Sequence, residues 1–143
     1  MNKKIIIIPI VLIIIISIVN FSLDFPEEEI DEIFHITLAN SDLYTNGAYT
    51  DTFDINKGEY NFRFVPNGSS PKILSVILNG ENFDFTENFK LHNTAHQTGI
   101  SEYFTWDYQG TEKFLVSENQ KITITINPNG NTIGSVSVDI IEK

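Results

Sequence analysis

The sequence predicts an all-β protein: an antiparallel β-sandwich of about eight or nine strands, preceded by one N-terminal transmembrane or signal-anchor helix. Three observations carry this. From Phe34 onward apolar residues recur at every second position, the period of a strand that buries one face and wets the other. Turns rich in Gly, Asn and Pro interrupt that pattern at short intervals. Ahead of it, Ile5 to Leu23 is a run of 19 residues whose only polar members are Ser17, Asn20 and Ser22.

As a helix, the apolar run reaches roughly 28 Å, close to the thickness of a bilayer core. In lipid its backbone polar groups are satisfied internally only as a helix. Pro9 falls near the first turn, where a missing N–H costs least. Residues 1–4 carry Lys3 and Lys4, which hold the N-terminus in the cytoplasm. Residues 5–23 form the span, residues 24–33 an acidic linker, and residues 34–143 an extracytoplasmic domain. Six of the nine residues from Asp24 to Glu32 are acidic, so this spacer repels itself and stands extended. It lacks the ordered spacing of a calcium loop. The expected address is the cell membrane, single-pass. The alternative is secretion after signal-peptide cleavage near Ser22, although no Ala-x-Ala pattern is present.

The strands follow in order. Phe34–Leu38 opens the domain. Asn56-Lys57-Gly58 separates Tyr49–Ile55 from Glu59–Val65, and Pro66 to Pro71 separates that strand from Lys72–Leu78. Lys72–Leu78 is apolar on both alternating sets, which predicts a central strand buried on both faces. Asn79-Gly80 predicts a hairpin to Glu81–Thr86. Asn88–Ser101 is weakly patterned and is expected to be mostly loop. Gln109-Gly110 links Glu102–Tyr108 to Glu112–Ser117, Ile122, Ile124 and Ile126 mark the next strand, and Ser135–Ile141 closes the domain.

Composition excludes several classes of function. The 143 residues fit one domain and carry formal net charge -10 with a single arginine, Arg63. Setting Lys3 and Lys4 aside leaves seven basic and nineteen acidic residues, net -12. Nucleic acid is therefore not an expected partner, because phosphate binding needs clustered Lys and Arg. With no cysteine there are no disulfides, thiolate metal sites or cysteine nucleophiles, and no lipoprotein anchor.

The stretch Gly58 to Leu78, GEYNFRFVPNGSSPKILSVIL, resembles the signature of the GOLD (Golgi dynamics) domain, the lumenal β-sandwich of eukaryotic cargo receptors of the endoplasmic reticulum and Golgi. Gly58, Tyr60, Phe62, Phe64, Asn67, Ser70, Pro71 and Lys72 carry the resemblance, and Thr52-Phe53-Asp54-Ile55 fits the strand before it. Arg63 stands where the family has a cysteine, and the apolar span precedes the domain, whereas the family's follows it. The resemblance implies a GOLD-like sandwich with a protein- or lipid-binding role.

Candidate site residues are few. His92 and His96 form His-x-x-x-His, which on a helix would aim both rings at one metal. Asn93, Thr94 and Gly99 argue for loop here, and no Glu follows His92 as a zincin requires. No metal and no cofactor is expected. His35 is expected as a half-exposed strand residue. There is no Gly-x-Ser-x-Gly elbow and no phosphate-binding glycine loop. Tyr103 to Tyr108 is the densest aromatic stretch. Alternation places Phe104, Trp106 and Tyr108 toward the core, and leaves Tyr103, or the edge of Trp106, as a platform for a sugar or peptide. Asn67-Gly68-Ser69 is an N-glycosylation sequon in an exposed turn, in residue types that turn chemistry also favours. The expectation is a non-catalytic binding module that meets a protein, glycan or envelope component outside the cell, with Tyr103, Trp106, His92 and His96 as binding candidates. The alternatives are a self-assembling structural envelope component and a metal-assisted enzyme using His92 and His96.

Overall fold

The computed structural model describes residues 31–143; the apolar run of residues 5–23 and most of the acidic linker lie outside them. Among the described residues no helix is long and apolar enough to cross a membrane. Among the described residues nine strands form: β1 (Glu32–Leu38), β2 (Tyr49–Ile55), β3 (Gly58–Asn67), β4 (Ile73–Asn79), β5 (Asp84–Gln97), β6 (Glu102–Gln109), β7 (Lys113–Val116), β8 (Gln120–Asn127) and β9 (Ser135–Glu142). They build two antiparallel sheets, ordered β1-β9-β3-β7 and β2-β8-β4-β5-β6.

Alternation explains the two layers. Val136, Val138 and Ile140 of β9, with Tyr60 and Phe62 of β3, meet Leu74, Val76 and Leu78 of β4 and Ile122, Ile124 and Ile126 of β8 in one buried cluster. Rings bridge the gap: Phe62 lies 5.6 Å from Phe89, and Phe64 lies 4.5 Å from Phe89, centroid to centroid. Burying such side chains contributes about 1.5–3 kcal/mol each.

β4 is central, between β8 and β5, but it buries one face rather than two. Leu74, Val76 and Leu78 are fully buried while Ile73 is 40% exposed. The outer face of the five-stranded sheet has no second layer among the described residues, so its apolar side chains stay partly wet. The turn after β4 also departs from expectation. Asn79 still pairs with Asp84, and the Gly80 N–H donates to the Phe83 carbonyl at 2.7 Å, which makes a four-residue loop. Gly80 is needed there because a side chain would strike β8. Its Cβ would lie 2.7 Å from Ile122 Cδ1 and closer still to Gln120 Oε1.

The largest correction concerns Asn88–Ser101. Most of it is strand: β5 runs 14 residues to Gln97 and pairs in continuous register with β6 from Lys90↔Gln109 to Gln97↔Glu102. β4 stops at Ile73, opposite Lys90, so the hairpin outruns its own sheet. Past the Leu91–Tyr108 pair, which still reaches the core, the hairpin is largely exposed on both faces, and the alternation that marks a half-buried strand disappears.

The strand ends give the domain a direction. The chain enters at Glu32, beside Ile141. Asn67, Ile73, Asn127 and Ser135 lie at the opposite end, and the β5–β6 hairpin projects past them.

Candidate functional site

The projecting ribbon brings together all four binding candidates that the sequence singles out. His96 pairs with Tyr103 across the hairpin, their rings stacked at 4.9 Å and 16°. His96 Nε2 also lies 2.9 Å from Thr105 Oγ1. His92 faces Asp107 in register. These residues share the outer face of the ribbon, since positions of one parity along a strand share a side.

Trp106 occupies the other face, opposite Asn93. The Lys72 ammonium sits over its ring, 4.7 Å from the centroid, an arrangement stabilised by the ring quadrupole. The expected core set splits along the ribbon. Tyr108 is buried at 3% exposure, Trp106 is half-buried and Phe104 is 46% exposed. Only the base of the hairpin reaches the opposing sheet, where Tyr108 packs 5.4 Å from Phe64 and donates its hydroxyl to the Pro71 carbonyl at 2.6 Å. Burial pushes the Tyr108 hydroxyl well above its ordinary range, so it stays a donor.

The two histidines do not form a metal pair. Both sit in β5, not in a loop, and four residues of extended strand separate them by about 13 Å. They share a face and no ion, so the metal-assisted reading that rests on them has no geometry to support it. The platform is aromatic and polar: a flat Tyr–His stack, flanking hydroxyls at Thr94 and Thr105, and one carboxylate at Asp107. Such a surface offers area and hydrogen bonds to a partner.

A second cluster lies on the outer face of the four-stranded sheet. His35, Asp139 and Arg63 form one cross-strand row over β1, β9 and β3. The Asp139 carboxylate accepts from His35 Nδ1 at 2.5 Å and from Arg63 Nε at 2.6 Å. Arg63 also reaches Glu32 at 3.0 Å. A register shift between Glu32 and Phe34 places Glu32 on this side. Ligating atoms of Glu32, His35 and Asp139 lie within 4.8 Å of one another, the donor set of a divalent-cation site. The Arg63 guanidinium already binds both carboxylates, so the row is a closed ion-pair network.

His35 is the half-exposed strand residue expected of it, with 50% of its side chain accessible. Its partner Asp139 was not legible as special, because the residues that bury it stand 104 and 76 positions away in sequence. Asn67 ends β3 and is exposed, and Gly68 after it adopts φ +85°.

Searches against protein-family models, curated proteins and solved structures find no match to this chain.

Proposed function

We propose that this protein is a membrane-anchored, extracytoplasmic binding module without catalytic activity, and that the β5–β6 ribbon is its contact element. The carrying observation is where apolar surface is left uncovered. Of the eight large hydrophobic side chains exposed among the described residues, Leu115 lies toward the chain-entry end. The other seven, among them Tyr103, Phe104, Ile100 at the hairpin tip and Ile133, lie toward the ribbon end or on the ribbon itself. Exposed apolar surface gathered in one region marks a contact site.

The reading explains the polarity of the domain. An anchor at residues 5–23 joins it at Glu32, so the ribbon points away from the membrane toward a partner. Tyr103 and Trp106 supply aromatic area, and the outer face adds hydroxyls and a carboxylate. A protein or glycan suits that mixture, and the net negative charge excludes nucleic acid. The GOLD-like resemblance of Gly58–Leu78, which spans β3 and β4, agrees with a recognition sandwich. A glycan on Asn67 would sit at the same end as the ribbon.

A photo-crosslinking side chain placed at Tyr103 in whole cells tests this. Adducts with an external partner are expected there and not from the same group at exposed Thr50 in β2. Equal labelling at both positions, or protection of the domain from protease added outside intact cells, would overturn the reading.

A further inference from the structure

The five-stranded sheet ends on β6, and no described residue pairs with its outer edge. Open edges are normally blunted by bulges, brevity, proline or charge. The other three edge strands follow that rule. β1 carries a register shift, β7 has four residues, and β2 exposes Asp51 and Asp54 with no large apolar side chain exposed beside them. β6 has eight residues in unbroken register, without proline or lysine; its two exposed carboxylates, Glu102 and Asp107, flank the aromatic run between them, and unlike β2 it exposes large apolar side chains, Tyr103 at 52% and Phe104 at 46%.

We propose that β6 pairs antiparallel with β6 of a second copy of this chain, about a two-fold axis at Thr105. This rests on the ribbon being the contact element and names its partner. A two-fold axis normal to the sheet keeps every side chain on its own face, so only residues of the same parity stand opposite one another. With the axis at Thr105, that residue meets its own copy. Phe104 then meets Trp106 of the second copy, and Tyr103 meets Asp107 of the second copy. Symmetry makes each pair twice. The aromatic pairs cover the apolar edge, the tyrosine hydroxyls donate to the aspartates, and no like charges face each other. Moving the axis one residue either way loses the Tyr103–Asp107 pair. The chosen register joins the two five-stranded sheets into one.

The absence of cysteine makes the test direct. The full chain carrying Thr105→Cys is reconstituted in lipid discs and mildly oxidised. Opposed residues of an antiparallel pair are about 4.5–5.5 Å apart, inside the range a disulfide spans. Most of the chain should migrate as a disulfide-linked dimer. The Thr52→Cys chain, carrying its thiol on the β2 edge of the same sheet, should remain monomeric. Adding Phe104→Asp to the Thr105→Cys chain should cut dimer yield at least tenfold. Dimer from neither thiol, equal dimer from both, or yield indifferent to Phe104→Asp would each overturn the pairing. If Tyr103 labels a different protein while the Thr105→Cys chain stays monomeric, the homodimer fails and the recognition module stands. If neither occurs, both fail.

Discussion

Arg63 holds the carboxylate of Asp139 at 2.6 Å across the β3–β9 ladder, and only 3% of that aspartate's side chain remains accessible. His35 closes the other oxygen. An aspartate on the wet face of an edge-near sheet is thus buried under its own partners. Removing Asp139 leaves Arg63 only the part-exposed Glu32, and removing Arg63 leaves the buried carboxylate only His35. Asp139→Ala is expected to lower unfolding free energy by about 2–3 kcal/mol, below the range for a fully buried pair because 39% of the Arg63 side chain is accessible. Glu32→Ala should cost under about 1 kcal/mol, as for a surface pair. The double variant Arg63→Met, Asp139→Leu should lose less than either single change. Urea unfolding followed by far-ultraviolet circular dichroism measures each.

Gly80 gives a second prediction. Its place is fixed by close approach to β8 and not by a left-handed backbone. Gly80→Ala should therefore destabilise the domain by about 1–3 kcal/mol, through displacement of Gln120 and of the buried Ile122. Gly47→Ala is strained for a different reason, its φ of +82°, with nothing near the new methyl. Truncating Gln120 to Ala should rescue part of the Gly80→Ala loss and none of the Gly47→Ala loss. Thermal unfolding of the paired variants separates the two causes.

Glu87 makes stability depend on pH. Its carboxylate accepts the Thr111 N–H and the Asn88 N–H, both at 2.9 Å, and so ties the β6–β7 crossover to β5. Hydrogen bonds from Thr111, and then from Asn88, hold its carboxyl below the ordinary value of 4.5 although partial burial pushes the other way. The folded state therefore favours the ionised form. That contribution is complete above about pH 4.5 and disappears as pH falls through the lower folded-state value. Glu87→Gln should cost about 1 kcal/mol at neutral pH. It should also flatten the acid limb of the stability profile just below pH 4.5. An acid limb unchanged by the substitution would refute the assignment.

The layers of the fold were readable from the sequence because half-buried strands announce themselves. Ile122, Ile124 and Ile126, and Val136, Val138 and Ile140, alternate and are buried as alternation requires. The ribbon was not readable past Lys90, because a strand wet on both faces obeys no period. The aromatic cluster at Tyr103–Tyr108 still marked its other half. Which of those rings would be buried depended on how far the hairpin outran β4, a quantity set by tertiary pairing. The Asp139 row was hidden for a related reason. Its register joins residues distant in sequence, and a lone Asp among Ser and Val on a wet face looks the same whether it is buried by partners or solvated.

The last prediction separates stability from recognition along a single strand. Tyr108 and Tyr103 lie five residues apart in β6, one under the sandwich and one beyond it. Tyr108→Phe removes the donor to the Pro71 carbonyl in a buried setting and should cost about 1–2 kcal/mol. It should also relieve alkaline sensitivity. Burial raises the folded-state value of Tyr108, so its contribution is complete below about pH 10 and is lost as pH rises through that raised value. Tyr103→Ala gives up only a surface stack on half-buried His96 and should cost under about 1 kcal/mol, with no change in the alkaline limb. If the ribbon displays a contact surface, the costs in binding reverse this order: read from a photo-crosslinking group at exposed Thr94 on the same face, the partner adduct is abolished by Tyr103→Ala and kept in the Tyr108→Phe chain. Trp106, the single tryptophan, lies between the two and reports the ribbon by its fluorescence. Its emission should keep its unfolding midpoint in the Tyr103→Ala chain and shift with the global transition in the Tyr108→Phe chain. Equal loss of stability from both substitutions would mean that the ribbon is part of the core and is not a display element.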